Sequence, residues 1–98
     1  MVEIEQQVQG LSMRLLSSQC RAARGLLNWR QEDLANRAAV SRSTIRDFEG
    51  EIHSLQRTTE ERLLAAFDAA GIELIGDASA GAGVRFRPGQ PAPIRHPS

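Results

Sequence analysis

The sequence predicts a mainly α-helical protein: a bundle of four to five helices with a short C-terminal β segment. From Ser17 to Gly71 apolar residues recur at three- and four-residue spacing, the period of helices packed against a core. Capping and terminating residues interrupt that pattern at short intervals, so the helices must be short. Beyond Gly71 the pattern changes to two brief runs, Ile72–Ile75 and Val84–Arg87, whose composition suits strands. A chain of 98 residues accommodates one modest core.

Residues 1–16 place Ile4, Val8, Leu11 and Leu15 on one stripe, broken by Gly10. That fits an extra helix, a frayed arm, or a helix running on into the next one. Ser17 is expected to cap a helix reaching about Leu27, with Leu16, Cys20, Ala23 and Leu27 on its inner face and Asn28 and Trp29 ending it. A second helix is expected from Gln31 to about Ala39. Leu34, Ala35 and Ala38 point inward, and Glu32 and Asp33 complement the dipole in its first turn. Val40 and Ser41 form a turn, and Ser41 caps a third helix from Arg42 to about Glu51. Thr58, Thr59, Glu60 and Glu61 read as a capping box for a fourth helix that carries Leu63, Leu64, Ala66, Phe67 and Ala70. Gly71 is expected to end it in the left-handed region.

The two strands flank a glycine- and alanine-rich loop, Gly76 to Gly83. A lone pair of strands is marginal in water, so it needs the helical core or a second subunit. The stretch 88–98 holds all four prolines and no periodicity, and it is expected to be disordered. The chain thus divides into an arm or extra helix (1–16), a helical domain (17–71), a β-prone segment (72–87) and a tail (88–98).

Net charge is zero, with twelve basic and twelve acidic residues, and every basic residue is arginine. Between Arg14 and Arg46 seven arginines face only Glu32 and Asp33; from Asp47 to Asp77 eight acids face Arg57 and Arg62. The arginine-rich third is the kind of patch that engages phosphates. No apolar run approaches the roughly 18 residues of a membrane span. Glu3 and Glu5 stand where a signal peptide carries positive charge, and the single cysteine, Cys20, suits a reducing compartment. A cytoplasmic location is therefore expected. There is no metal-ligand spacing, no phosphate-binding glycine loop and no nucleophile with a histidine partner, since His53 and His96 are the only histidines. An enzyme, a cofactor and a metal are not expected.

On a helical wheel Ile45 and Phe48 mark the buried side of the third helix. Ser43, Arg46, Asp47 and Gly50 point away from it, with Arg42 on the flank. Two apolar anchors behind a polar, arginine-bearing face suit a helix laid in the major groove of DNA. Arg42 and Arg46 suit bidentate contacts to guanine, Ser43 permits close approach, and Asp47 suits cytosine N4 as an acceptor. The same wheel also fits an ordinary solvated face.

Gln31 to Ala35, the Val40–Ser41 turn and Ser43 to Glu49 resemble the helix-turn-helix of the lambda repressor and Cro-like (XRE) transcriptional regulators. The likeness spans roughly Ser17 to Gly71, and its specific part is confined to residues 31–49. It implies a lambda repressor-like fold and sequence-specific binding of double-stranded DNA. It also implies that Gln31 contacts a phosphate and braces the reading helix, that Arg42, Ser43, Arg46 and Asp47 read bases, and that Arg24 pairs with Glu49. Arg30 and Thr44 join Gln31 as expected backbone contacts.

The chain departs from the family in two places. Arg30 stands where a serine or threonine cap usually precedes the glutamine. After Glu49 the family commonly has one residue, then glycine, then basic residues and a proline; here Gly50 follows directly, with Glu51 to Leu55 after it. A homodimer on a palindromic operator is expected, formed through Ile72, Leu74, Val84 and Phe86 in preference to the Ile4, Val8, Leu11 stripe. The competing expectation is a protein-interaction module, an antitoxin or anti-activator that keeps the fold and binds a protein partner through the β segment or tail. Zero net charge and the acidic second half motivate it.

Overall fold

The computed structural model describes residues 15–76 and 81–89. The Ile4, Val8, Leu11 stripe, the middle of the glycine-rich loop and the chain from residue 90 onward lie outside the described residues. Four helices and one two-stranded antiparallel sheet follow in chain order: α1 (Ser17–Leu27), α2 (Gln31–Ala38), α3 (Arg42–Glu49), α4 (Arg57–Ala69), β1 (Ile72–Ile75) and β2 (Gly83–Phe86). Among the described residues no helix is long and apolar enough to cross a membrane.

α1 begins one residue earlier than a Ser17 cap would have it. Leu16 is the cap residue, and its N–H is met by the side-chain oxygen of Gln19 at 3.0 Å. Ser17 is already helical and its hydroxyl donates to the Glu51 carboxylate at 3.0 Å, so it serves a tertiary contact instead. The inward position is taken by Leu15, while Leu16 is 39% exposed, contrary to the expected stripe. The Leu15 amide donates to the Glu60 carboxylate at 2.7 Å, which ties the chain's entry to α4. Asn28 closes α1 at φ 62, a left-handed conformation asparagine tolerates.

α2 lacks a side-chain cap from Arg30, and Asp33 makes only the reverse contact, reaching back to the cap residue. Its carboxylate takes the Arg30 N–H at 2.8 Å and also meets the Arg30 guanidinium. Ala39 ends α2 at φ 59, so the helix stops one residue short of the expected boundary. Ser41 caps α3 as expected, accepting the Thr44 N–H at 3.1 Å. α3 ends at Glu49, two residues before the expected end, because Glu51 turns the chain at φ 61.

α4 starts at Arg57 after Gln56, not at a Thr58 cap. The capping box is unused because Thr58 is already helical and Glu61 pairs with Arg57 one turn back at 3.5 Å, while Glu60 meets the Leu15 amide. Gly71 follows α4 at φ 88, the left-handed position that its lack of a Cβ permits.

The strands pair as Ile72↔Phe86, Glu73↔Arg85, Leu74↔Val84 and Ile75↔Gly83. β2 lies one residue earlier than expected. This register puts Ile72, Leu74, Val84 and Phe86 on one face, which packs on the helical core through α1 and α4. The Glu73–Arg85 ion pair lies on the other face at 2.7 Å. The core centres on Leu34, Ile45, Leu63, Phe67 and Cys20, all fully enclosed. Burying each of the large apolar side chains contributes about 1.5–3 kcal/mol. Trp29 stacks on Phe67 with ring centres 6.2 Å apart and carries the Arg37 guanidinium 4.6 Å over its own ring.

Candidate nucleic-acid interface

The site is built on α3. Ile45 and Phe48 anchor one side in the core, and Leu34 and Ala35 of α2 belong to the same apolar cluster. Arg42, Ser43 and Arg46 are exposed on the opposite side, and the Asp47 side chain is half-buried beside them. Arg46 Nε donates to Asp47 Oδ1 at 3.3 Å. Gly50 is exposed just past the helix end. The four side chains expected to read bases therefore lie along the outer side of a helix whose inner side is seated in the core.

The seating depends on Glu49, whose side chain is only 3% exposed. Its carboxylate accepts from Arg24 Nε at 2.8 Å and Arg24 Nη2 at 2.7 Å, a bidentate pair. Gln31 Nε2 donates to the same carboxylate at 3.0 Å, and the Cys20 thiol donates at 3.1 Å. Arg21 Nη1 meets the Glu49 backbone carbonyl at 2.6 Å, capping the end of α3. One carboxylate thus joins α1, α2 and α3. Burial pushes the Glu49 carboxyl up, but the hydrogen bonds from Arg24, Gln31 and Cys20 outweigh it and hold it below the usual range. Burial, reinforced by the neighbouring carboxylate, pushes the Cys20 thiol far up, so it stays a donor and not a nucleophile. The hydrogen bond to Glu49 raises Arg24 further.

Of the expected backbone contacts, Gln31 opens α2 and braces α3 through Glu49. Arg30 is exposed but its guanidinium lies on Asp33 at 3.2 Å. The hydrogen bond between them raises Arg30 and lowers Asp33. Thr44 is half-buried, with its hydroxyl 2.7 Å from that of Ser41 inside the α3 cap. Part of the arginine excess read from the sequence is paired within the chain: Arg24 with the buried Glu49 and Arg30 with Asp33. Arg37 lies over Trp29 and Arg21 on the end of α3, neutral partners that leave both charges at the surface.

Sequence reasoning missed Cys20 and Arg21. Cys20 and Arg24 stand four residues apart on one helix, the spacing at which side chains meet, and that signal marks Cys20 as a partner in the Arg24 site. The Arg21 contact has no such local signature. The four expected dimer residues turn toward this chain's own core: Ile72 is 2% exposed, and Leu74, Val84 and Phe86 are partly buried against the helices. After α3 the backbone N–H groups of Ile52 and His53 both reach the Asp47 carbonyl, leaving Ile52 66% exposed and His53 exposed.

No protein-family model matches this chain, and no curated protein is similar to it.

Proposed function

We propose that this chain is a transcriptional regulator of the lambda repressor/Cro-like type, which binds double-stranded DNA sequence-specifically with α3 in the major groove. One observation carries the reading. α3 is held on its inner side by Ile45, Phe48 and the Glu49 hydrogen bonds, while Arg42, Ser43 and Arg46 stand exposed together on its outer side. A groove-reading helix needs that combination of rigid seating and free polar face. In this reading Arg42, Ser43, Arg46 and Asp47 face base edges. Gln31 and Arg30 lie toward the phosphates, with Thr44 holding the helix start. The regulator acts as a cytoplasmic repressor.

One helix-turn-helix supplies little contact area, so the reading includes a homodimer on a palindromic operator with half-sites about one DNA turn apart. With the apolar face of the sheet already used by the core, the dimer forms through the outer backbone edges of β1 or β2. Sedimentation velocity of the full chain tests it, and a monomer at concentrations that saturate DNA sinks it.

The deciding experiment is a titration with the duplex upstream of the protein's own gene at two salt concentrations. Salt-dependent, sequence-preferring binding is expected. Arg42→Ala should relax base preference at one pair, by roughly 1–3 kcal/mol of discrimination. Gln31→Ala should weaken binding to all sequences alike. Zero net charge and the exposed Ile52 favour a second reading, a module that binds a protein partner, antitoxin or anti-activator. That reading predicts no salt-dependent DNA affinity.

A further inference from the structure

Arg46 and Asp47 are neighbours in sequence on the exposed side of α3, and their side chains nonetheless meet, with Nε 3.3 Å from Oδ1. Consecutive helical residues point about 100° apart, so the contact forms only when the arginine lies along the helix surface toward the aspartate. From these positions we infer that Asp47 is a positioning residue: it holds the Arg46 guanidinium by Nε and presents the two terminal nitrogens to a guanine edge. The inference rests on the proposed DNA-reading role of α3.

The chemistry supports one base. With Nε occupied, Arg46 offers parallel N–H donors from Nη1 and Nη2, which match the O6 and N7 acceptors of guanine in the major groove. Adenine places a donor where guanine has O6, so it accepts only one of the two bonds. The Asp47 side chain is 27% exposed against 58% for Arg46, so it is the more confined of the two. In water an exposed ion pair of this kind is weak. Against DNA, with water excluded, the carboxylate limits the rotamers of an otherwise mobile arginine. The guanidinium in turn offsets the cost of bringing the Asp47 negative charge near phosphates. This replaces the expectation that Asp47 reads cytosine directly.

The test selects preferred duplexes from a randomised DNA pool with full-length protein. The base pair whose preference Arg46→Ala flattens is the Arg46 pair. Anisotropy titrations then use that duplex and its single-base substitutions at the Arg46 pair and its neighbours. They compare wild type, Asp47→Ala, Asp47→Asn, and Asp47→Ala combined with Arg46→Ala. Guanine is expected at that pair, preferred by roughly tenfold or more in wild type. Asp47→Ala should reduce that preference to within about threefold, and Asp47→Asn, which keeps an acceptor oxygen, should retain part of it. The double variant should fall no lower than Arg46→Ala alone. The inference is overturned if Asp47→Ala leaves the guanine preference intact while changing preference at another pair. It is equally overturned if Asp47→Ala raises affinity for every duplex alike. Wild-type protein with no preferred sequence overturns the DNA-reading role itself, and this inference with it.

Discussion

A carboxylate enclosed among helices is costly unless its oxygens are met, and Glu49 is met by four donors from Arg24, Gln31 and Cys20. Removing one partner leaves the rest of the desolvation cost in place. Arg24→Ala should destabilise the protein by about 3 kcal/mol or more, read as a lower melting temperature. Under the proposed DNA-reading role it should also weaken binding at all sequences, because α3 loses its orientation. The same residue sets a pH dependence. The fold holds the Glu49 carboxyl below its usual value, so its contribution is complete above the unfolded-chain value of roughly 4.3. It is lost as pH falls through the lower, folded value. Melting curves from pH 6 downward should therefore show an acid-side loss that shrinks in Glu49→Gln. An equal loss in both proteins would assign it to other carboxylates.

Among the elements, the turn after α3 shows a local conflict between sequence and backbone. Gly50 sits at φ −85, where any residue fits, whereas Glu51 occupies φ 61. The left-handed conformation costs a non-glycine residue about 1 kcal/mol, against which Glu51 gains only an exposed contact with Ser17. Glu51→Gly should raise the melting temperature by a few degrees, while Glu51→Ala, which loses the contact and keeps the conformation, should not. The hairpin makes the opposite demand. Gly76 is at φ 75, and a Cβ there would lie 1.9 Å from the Gly81 carbonyl oxygen. Gly76→Ala should cost more than about 1 kcal/mol and loosen β1 from β2. Faster amide exchange at Glu73 and Arg85 is the measurement, and unchanged exchange would show that the turn relaxes freely.

For the whole molecule the decisive property is where the arginines go. A count of seven against two acids describes a strongly basic third of the chain, but the fold pairs Arg24 with Glu49 and Arg30 with Asp33. Under the proposed DNA-binding role, affinity should consequently fall with salt at a slope below that of seven phosphate contacts, each worth about 0.9 in the log–log plot. Arg30→Ala should change that slope by clearly less than one such contact, since Asp33 already offsets the charge. A full-unit change would mean that Arg30 leaves Asp33 for a phosphate on binding.

The four helices, most of their inward residues and the two strands were legible in the sequence because periodicity is a local property; Leu16, expected inside, is exposed. Leu34, Ala35, Ile45, Phe48, Leu63 and Phe67 are inside as their spacing implies, and Gly71 and Ser41 mark their helix ends. The exposed face of α3 was legible for the same reason. What the sequence left open is where each polar side chain finds its partner across the chain. Ser17 looks like a cap locally, but the fold brings Glu51 to it and that contact wins, and the Leu15 amide is tied to Glu60 across 45 residues. Ile72, Leu74, Val84 and Phe86 look like an exposed interface until the register turns them onto the helices. Cys20 becomes a partner of Glu49 only when α1 crosses the end of α3. A hydrogen bond between residues 29 positions apart depends on how the helices are brought together, and no local pattern encodes that.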